Sequence, residues 1–370
     1  MMNLQMTDLN AQYESIKAEI DQAIKEVLND SGFILGKQVG LFEEEAAEYF
    51  GVKFAVGVAS GTDALVLSLA GLGIKEGDEV ITTPFTFIAT AEAISRVGAR
   101  PVFCDIDEKT YNIDAGKINS KINSRVKAII PVHLYGMPCR MDEILKGAKA
   151  NDLKIIEDCA QSFGSEYAGK KTGSIGDCGC LSFFPAKTLG CYGDGGMVVT
   201  NNESLAENLK ILRNHGSGSK YMYSTHGFNS RLDTIQAAVL RVKLKYIDGW
   251  IKQRIRNAEY YNKQLSALAE ITIPEIPKDS KHSFNYYTIQ IKSGRDDIMA
   301  GLKARNIPSA VYYPLCLHLQ EVYKDLKYKL GDFPVAEKSQ DRVLSLPMYP
   351  ELSEAQMDEL VNAVKESIGR

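Results

Sequence analysis

Several features that would settle the class of a protein at once are missing from this chain. None of its 370 residues lies in an apolar run near the ~20 needed to span a bilayer, which argues against a membrane helix. The opening MMNLQMTDLNAQYESIKAEIDQAI has no basic stretch followed by an apolar core, so no secretory leader and a cytoplasmic location are expected. A positive excess is also absent. Forty-three basic against 47 acidic side chains leave a net charge of −4, unlike a dedicated nucleic-acid binder. Cysteine is present seven times, an odd number without framework spacing, and is expected as reduced, mostly buried thiol. No G-x-G-x-x-G follows a predicted strand, which argues against a dinucleotide site. Repeats and low-complexity tracts are lacking as well. What remains, 45% hydrophobic and 24% charged, is an ordinary globular composition long enough for two or three domains.

The pattern along the chain is informative. Ile16, Ile20, Ala23, Ile24 and Leu28 recur at helical spacing, and Asn29-Asp30-Ser31-Gly32 should stop that helix. Short apolar runs follow: FAVGVA (54–59), EVITT (79–83), PVFCDI (101–106), AIIPVH (128–133), KIIEDC (154–159), CLSFF (180–184) and GMVVT (196–200). Their continuous branched character suits strands covered on both faces, as in a mostly parallel sheet. Helical candidates alternate with them at 62–72, 86–97, 141–151 and 203–213, which predicts a doubly wound α/β domain. Beyond Arg231 the texture changes to a strand-free helical stretch over 232–268, then a strand at 284–292 and a final helix at 353–368. A large α/β domain over 1–249 and a smaller α+β domain over 250–370 are expected.

Two weak signals carry little. GSEYAGKK (164–171) resembles a P-loop, but Lys171 stands where Ser or Thr would hold magnesium, and a β-turn is the better reading. Cys178 and Cys180 share one strand face without a second pair at zinc spacing, so no metal is expected.

Three segments carry chemistry together. In ASGTDAL (59–65), Ser60, Gly61 and Thr62 open a helix, and its free N–H groups can bind an anion, although a plain helix cap reads the same way. In KIIEDCAQSFG, Asp158 closes an apolar strand, where ligand crevices of open α/β sheets lie, or else caps the next helix. In CLSFFPAKTLGCYGDGG, Lys187 follows a strand and precedes Gly190, Gly193, Gly195 and Gly196, whose density suits close approach of a ligand or positive φ. A desolvated lysine is a nucleophile toward carbonyl compounds. A phosphate site, a buried Asp and a Schiff-base Lys are what pyridoxal phosphate requires, the Asp keeping the pyridine nitrogen protonated.

The motifs SGTDAL, TPFTFIATAEAI, PVHLYG, IIEDCAQSFGSEY, SFFPAKTLGCYGDGG and NSRLDTIQAAVL, with YYP and His318 further on, resemble in order those of the DegT/DnrJ/StrS sugar-nucleotide aminotransferases. The resemblance implies a fold-type I pyridoxal phosphate enzyme, homodimeric, that moves an amino group from glutamate to a keto-sugar nucleotide. On matching positions it implies that Lys187 holds the cofactor and shuttles the proton. It pairs Asp158 with the ring nitrogen and Gln161 with the ring hydroxyl, stacks Phe87 on the ring, and sets Gly61, Thr62 and Ser182 around the phosphate. Asn229 would reach that phosphate from the neighbouring subunit. Arg231, Tyr313 and His318 would meet the sugar nucleotide. The run FFPAKTLGCYGDGG is similar to the C3-aminating branch, above all to enzymes that make UDP-2-acetamido-3-amino-2,3-dideoxy-glucuronate for surface polysaccharide, and dTDP-3-keto-6-deoxyhexose enzymes share much of it. A sugar dehydratase of the same family would carry His in place of Lys187.

Overall fold

In a computed structural model, residues 4–219 and 221–368 are described. The seven apolar runs form one sheet: β1 (Phe54–Val58), β2 (Glu79–Thr82), β3 (Arg100–Phe103), β4 (Val126–Ile129), β5 (Lys154–Asp158), β6 (Cys178–Ser182) and β7 (Gly196–Thr200). Their order in space is β1-β7-β6-β5-β4-β2-β3. Only β7 is reversed, antiparallel to both β1 and β6, so the sheet is α/β and mostly parallel as expected.

Alternation decides which face each strand residue covers. Ala55, Leu181, Met197 and Val199 pack with Phe42, Ala46 and Leu240 on one side. Their neighbours Val56, Cys180 and Val198 pack with Leu65, Leu69 and Leu209 on the other. Both faces are apolar because helices cover both, which is why the strands read as unbroken runs. Several runs extend past their strands. Cys104, Ile106, Val132 and Phe183 lie beyond the ends of their strands yet are buried, because the loops at the carboxyl ends are themselves covered.

The first helix, Leu9–Asp30, starts where Asp8 accepts the Ala11 N–H at 2.9 Å and stops at Ser31, which takes a left-handed φ of 54°. Its buried stripe holds Ile16, Ile20 and Val27, whereas Leu28, expected in the stripe, is exposed. The helix Lys37–Phe50 was not anticipated; it buries Val39, Phe42 and Phe50 under the sheet. The stretch 232–268 resolves into two helices, Thr234–Leu244 and Ile247–Leu265. Residue 250 lies inside the second, whose Trp250 and Ile251 join the N-terminal core while Ala258, Tyr261 and Leu265 join a C-terminal one. That C-terminal core surrounds a three-stranded antiparallel sheet of Ile271–Thr272, Tyr287–Ile291 and Val343–Leu346, and the closing helix Glu354–Ile368 packs into it. Buried Arg254 fastens the region by donating to the carbonyls of Phe284 (3.1 Å) and Met348 (2.7 Å). No helix among the described residues is long and apolar enough to cross a membrane.

GSEYAGKK forms a hairpin, Glu166–Tyr167 against Lys170–Lys171, turning through Ala168 and Gly169 at φ 48° and 75°. Positive φ at both turn residues is the type I′ geometry, so the β-turn reading holds.

Candidate active site

The expected site residues sit at the carboxyl ends of neighbouring strands. Ser60 follows β1 and caps the helix Gly61–Gly71 by accepting the Asp63 N–H at 3.1 Å. The first N–H groups of a helix have no intrahelical acceptor, so those of Gly61 and Thr62 face outward. Ser182 ends β6 directly against this turn. A Cβ on Gly61 would stand 2.5 Å from the Ser182 Cβ, so only glycine lets the helix start approach so closely. Gly61, Thr62 and Ser182 thus form one concave, donor-rich corner suited to a phosphate.

Asp158 ends β5 and is buried. Its Oδ2 accepts from the Thr90 hydroxyl at 2.7 Å and its Oδ1 from the Ala160 N–H at 3.1 Å. Burial nevertheless raises its pKa, against the opposing pull of those two donors, Lys187 and His133. A carboxylate in that position gains from a cationic partner, which a protonated ring nitrogen would be.

Lys187 follows β6 in a tight turn, its N–H bonding the Phe184 carbonyl at 2.8 Å. Burial brings its amine down to about 8, with Asp158 pulling the other way. Such an amine is in its neutral, nucleophilic form near neutral pH far more often than an ordinary lysine is. The residues after it are tied down: Thr188 donates from its N–H and hydroxyl to Asn285 Oδ1 (3.1 and 3.3 Å), and buried Lys243 donates to the Gly190 carbonyl at 2.7 Å. The four glycines of this loop take no positive φ. Close backbone packing explains two of them instead, since a Cβ on Gly190 would lie 2.3 Å from the Pro185 oxygen and one on Gly196 2.2 Å from the Ser60 oxygen.

Gln161 is buried, accepts the Tyr135 N–H at 2.8 Å and donates to the Tyr313 hydroxyl at 3.0 Å. Phe87 is 54% exposed with its ring 6.1 Å from that of Tyr313, leaving a face free to cover a planar ligand. Lys187, Asp158, Gln161, Phe87 and Tyr313 are therefore linked through direct contacts or charge, and Gly61, Thr62 and Ser182 form the adjoining corner.

The remaining residues lie elsewhere. Asn229 is exposed and bridges to Asn214; Arg231 donates to Asn214 Oδ1 at 2.9 Å, and both line a surface cavity with Ala59, Gly193 and Asp194. Ser230 between them donates to the Asp63 carboxylate at 2.7 Å and so anchors this segment to the helix Gly61–Gly71. His318, expected at the sugar nucleotide, is 2% exposed, pairs with Glu337 at 3.0 Å and packs on Phe333. As the chain stands it is an interior histidine, and burial lowers its pKa.

Sequence reasoning missed Thr90 and Tyr135, although both lie in the quoted motifs TPFTFIATAEAI and PVHLYG. It also missed a buried cluster of His133, Glu157 and Cys159 whose ligand atoms come close enough for a metal. Glu157 accepts the N–H groups of Gly173, Ile175 and Gly176 at 2.7–2.9 Å as well as His133 Nε2 at 3.0 Å. His133 Nδ1 accepts the Cys139 N–H, so Nε2 carries the proton and offers no lone pair. The cluster is a brace behind β5. The seven cysteines are all buried and unpaired; Cys180 lies 3.2 Å from the Ser68 hydroxyl.

Residues 14–365 match the DegT/DnrJ/EryC1/StrS aminotransferase family. The chain belongs to that family. It is 46% identical to a pleiotropic regulatory protein of Geobacillus stearothermophilus over 99% of this chain and 98% of that one. It is 45% identical to the UDP-N-acetyl-3-dehydro-alpha-D-glucosamine 3-aminotransferase of Acidithiobacillus ferrooxidans, covering 98% and 97%. Identity to the UDP-2-acetamido-2-deoxy-3-oxo-D-glucuronate aminotransferase of Pseudomonas aeruginosa is 41%, covering 95% and 97%. Among solved structures, DesV of S. venezuelae superposes with a TM-score of 0.97 at 41% identity over the whole of both chains. By these relations the chain is an aminotransferase, and its fold is that of sugar aminotransferases.

Proposed function

We propose that this aminotransferase moves an amino group from glutamate to the 3-keto group of a nucleotide sugar, with pyridoxal 5′-phosphate as cofactor. The observation that carries the reading is the meeting of a desolvated Lys187 amine and a buried Asp158 carboxylate beside the open helix start at Gly61 and Thr62. When bound, the cofactor supplies an aldehyde for amine exchange and a ring that accepts the electrons of a broken C–H bond. The rest falls to the chain. Lys187 would hold the aldehyde, and its freed amine would carry the proton between the substrate carbon and the cofactor carbon that bore the aldehyde oxygen. Asp158 holds the proton on the ring nitrogen, with Thr90 and the Ala160 N–H fixing its two oxygens. Gln161 bonds the ring oxygen, Phe87 covers one ring face, and Gly61, Thr62 and Ser182 hold the phosphate.

A second copy of the chain completes the site by supplying Asn229. The segment that carries Asn229 supports this reading, since Tyr221, Met222, Tyr223 and Phe228 beside it expose 75%, 68%, 63% and 41% of their surface. UDP-2-acetamido-2-deoxy-3-oxo-glucuronate is the acceptor we favour. Arg231 is half-buried and lines the surface cavity that Asn229 shares, and a uronate carboxylate suits a guanidinium placed there.

The test is product mass spectrometry after incubation with glutamate and a panel of UDP- and dTDP-linked 3- and 4-keto sugars. The expected result is amination of the 3-keto uronate by the wild-type chain and none by Lys187→Ala. A panel without any aminated sugar, or a Lys187→Ala variant at the wild-type rate, would overturn the reading. An unchanged KM for the uronate in Arg231→Ala would overturn the choice of acceptor, leaving the dTDP-3-keto-6-deoxyhexoses as next in line.

A further inference from the structure

The motif PVHLYG (131–136) is left without a task by the mechanism above, yet it touches the site twice. Tyr135 is buried and sits at φ 61°, a left-handed conformation that a bulky side chain adopts only under constraint. The turn is braced by Asn112, which accepts the Leu134 N–H at 3.0 Å and donates to the Met137 carbonyl at 2.8 Å. Held this way, Tyr135 uses every polar group it has. Its N–H donates to Gln161 Oε1 at 2.8 Å, its carbonyl accepts the Tyr286 N–H at 3.2 Å, and its hydroxyl donates to the Tyr312 carbonyl.

The first contact settles the orientation of the Gln161 amide. A backbone N–H can only donate, so the amide oxygen must face Tyr135 and the NH2 must face the crevice. One of its hydrogens goes to the Tyr313 hydroxyl at 3.0 Å, and the other is left for an acceptor in the site. The Tyr313 hydroxyl, accepting from Gln161, keeps its own proton to donate onward. Burial raises its pKa, so that proton stays in place at neutral pH. The contact of the Tyr135 hydroxyl ties down the residue directly before Tyr313. One side chain therefore sets both the amide that faces the ring oxygen and the segment that carries Tyr313.

We propose that Tyr135 is a positioning residue, which presents Gln161 to the cofactor's ring oxygen purely as a hydrogen-bond donor and holds the Tyr312–Tyr313 segment in register for the sugar acceptor. The proposal rests on the cofactor and acceptor named above. It differs from ordinary core packing in splitting the two halves of the reaction. Packing would serve both halves alike, whereas the hydroxyl contact bears chiefly on the half that uses the sugar.

Tyr135→Phe in the cofactor-loaded enzyme removes the hydroxyl and keeps the ring and the N–H. The expected result is a KM for the keto-sugar raised roughly five- to tenfold, the scale of one lost hydrogen bond. The glutamate half-reaction should stay within about twofold, and the pH titration of the cofactor's visible band should not move. An unchanged KM, or a parallel fall of both half-reactions, would overturn the positioning role. Gln161→Glu tests the donor claim, since it still accepts the Tyr135 N–H but brings a negative charge in place of the NH2. The band should then titrate at higher pH; an unshifted titration would refute the assigned orientation. A wild-type chain that forms no visible band with pyridoxal phosphate would instead bring down the functional reading, and this proposal with it.

Discussion

Replacing Gly61 with Ala should cost the protein its cofactor more than its fold. The added Cβ would stand 2.5 Å from Ser182 Cβ, 3.0 Å from its Oγ and 3.1 Å from its Cα. Carbon atoms in contact prefer about 3.5–4.0 Å, so the strand end and the helix start must part by about 1 Å. Rotating Ser182 gives no relief, because its Cα is already too near. Overpacking of this kind costs about 1–3 kcal/mol of stability. The same displacement moves the N–H groups of Gly61 and Thr62 off a bound phosphate, and hydrogen bonds to a charged group are worth about 1.5–3 kcal/mol each. Losing the equivalent of one or two, about 3 kcal/mol, weakens binding roughly a hundredfold. Stripped protein titrated with pyridoxal phosphate gives the affinity, and thermal melts without cofactor give the stability term separately. Relief of the clash in Gly61→Ala/Ser182→Gly should restore much of the melting temperature. Binding by Gly61→Ala within threefold of wild type, at unchanged melting temperature, would refute the argument.

Two further outcomes concern buried charge. Because the folded protein holds Lys187 near 8 and the unfolded chain near 10.5, the unfolded state binds the extra proton between those values. Stability of the cofactor-free protein should therefore rise with pH across that window, by at most ~3 kcal/mol and less after solvent screening of a half-buried group. Lys243 is lowered to about 8 by burial as well, so the measurement is the difference between wild type and Lys187→Met in urea unfolding at pH 7.5 and 10. A flat difference would contradict the desolvation of Lys187. Glu157→Gln should destabilise the protein by about 3–5 kcal/mol in the same assay, because an NH2 would then face backbone donors that now share a carboxylate. A loss below about 1 kcal/mol would show that the brace behind β5 is dispensable.

The parts of the site that the sequence made legible are those whose chemistry depends on place along the chain. Asp158 and Lys187 each follow an apolar run, and a residue just past a buried parallel strand is delivered to the carboxyl edge of the sheet. Ser60-Gly61-Thr62 is read the same way. Residues whose role depends on a distant partner were not legible. His318 was expected at the sugar nucleotide by resemblance, and nothing near it in sequence announces Glu337, nineteen residues later, or the ring of Phe333. Gly190 and Gly196 were taken for ligand-facing or positive-φ positions, whereas they answer to the carbonyls of Pro185 and Ser60. Thr90 and Tyr135 lay in motifs already singled out, but a threonine or tyrosine gains its role only from the atom it bonds. The helix Lys37–Phe50 escaped because its three adjacent glutamates, 43–45, hide the apolar face of Val39, Phe42, Ala46 and Phe50.

Asp158 and Lys187 also explain each other. Burial presses both toward their neutral forms, the carboxyl upward and the amine downward, and each is the other's partial remedy. The fold spends two backbone or hydroxyl donors on Asp158 and, among the described residues, leaves Lys187 with no carboxylate in direct contact. A structural ion pair would be built the opposite way, with the two charges brought together and saturated by hydrogen bonds. Keeping them apart leaves the carboxylate short of a cation and the amine short of a reason to stay charged. A planar heterocycle with a basic nitrogen at one end and an aldehyde at the other answers both shortages at once. Under the proposed function, affinity for such a molecule would then come from the uncompensated state of both groups, and the same burial would keep the amine ready to act once a substrate displaces it.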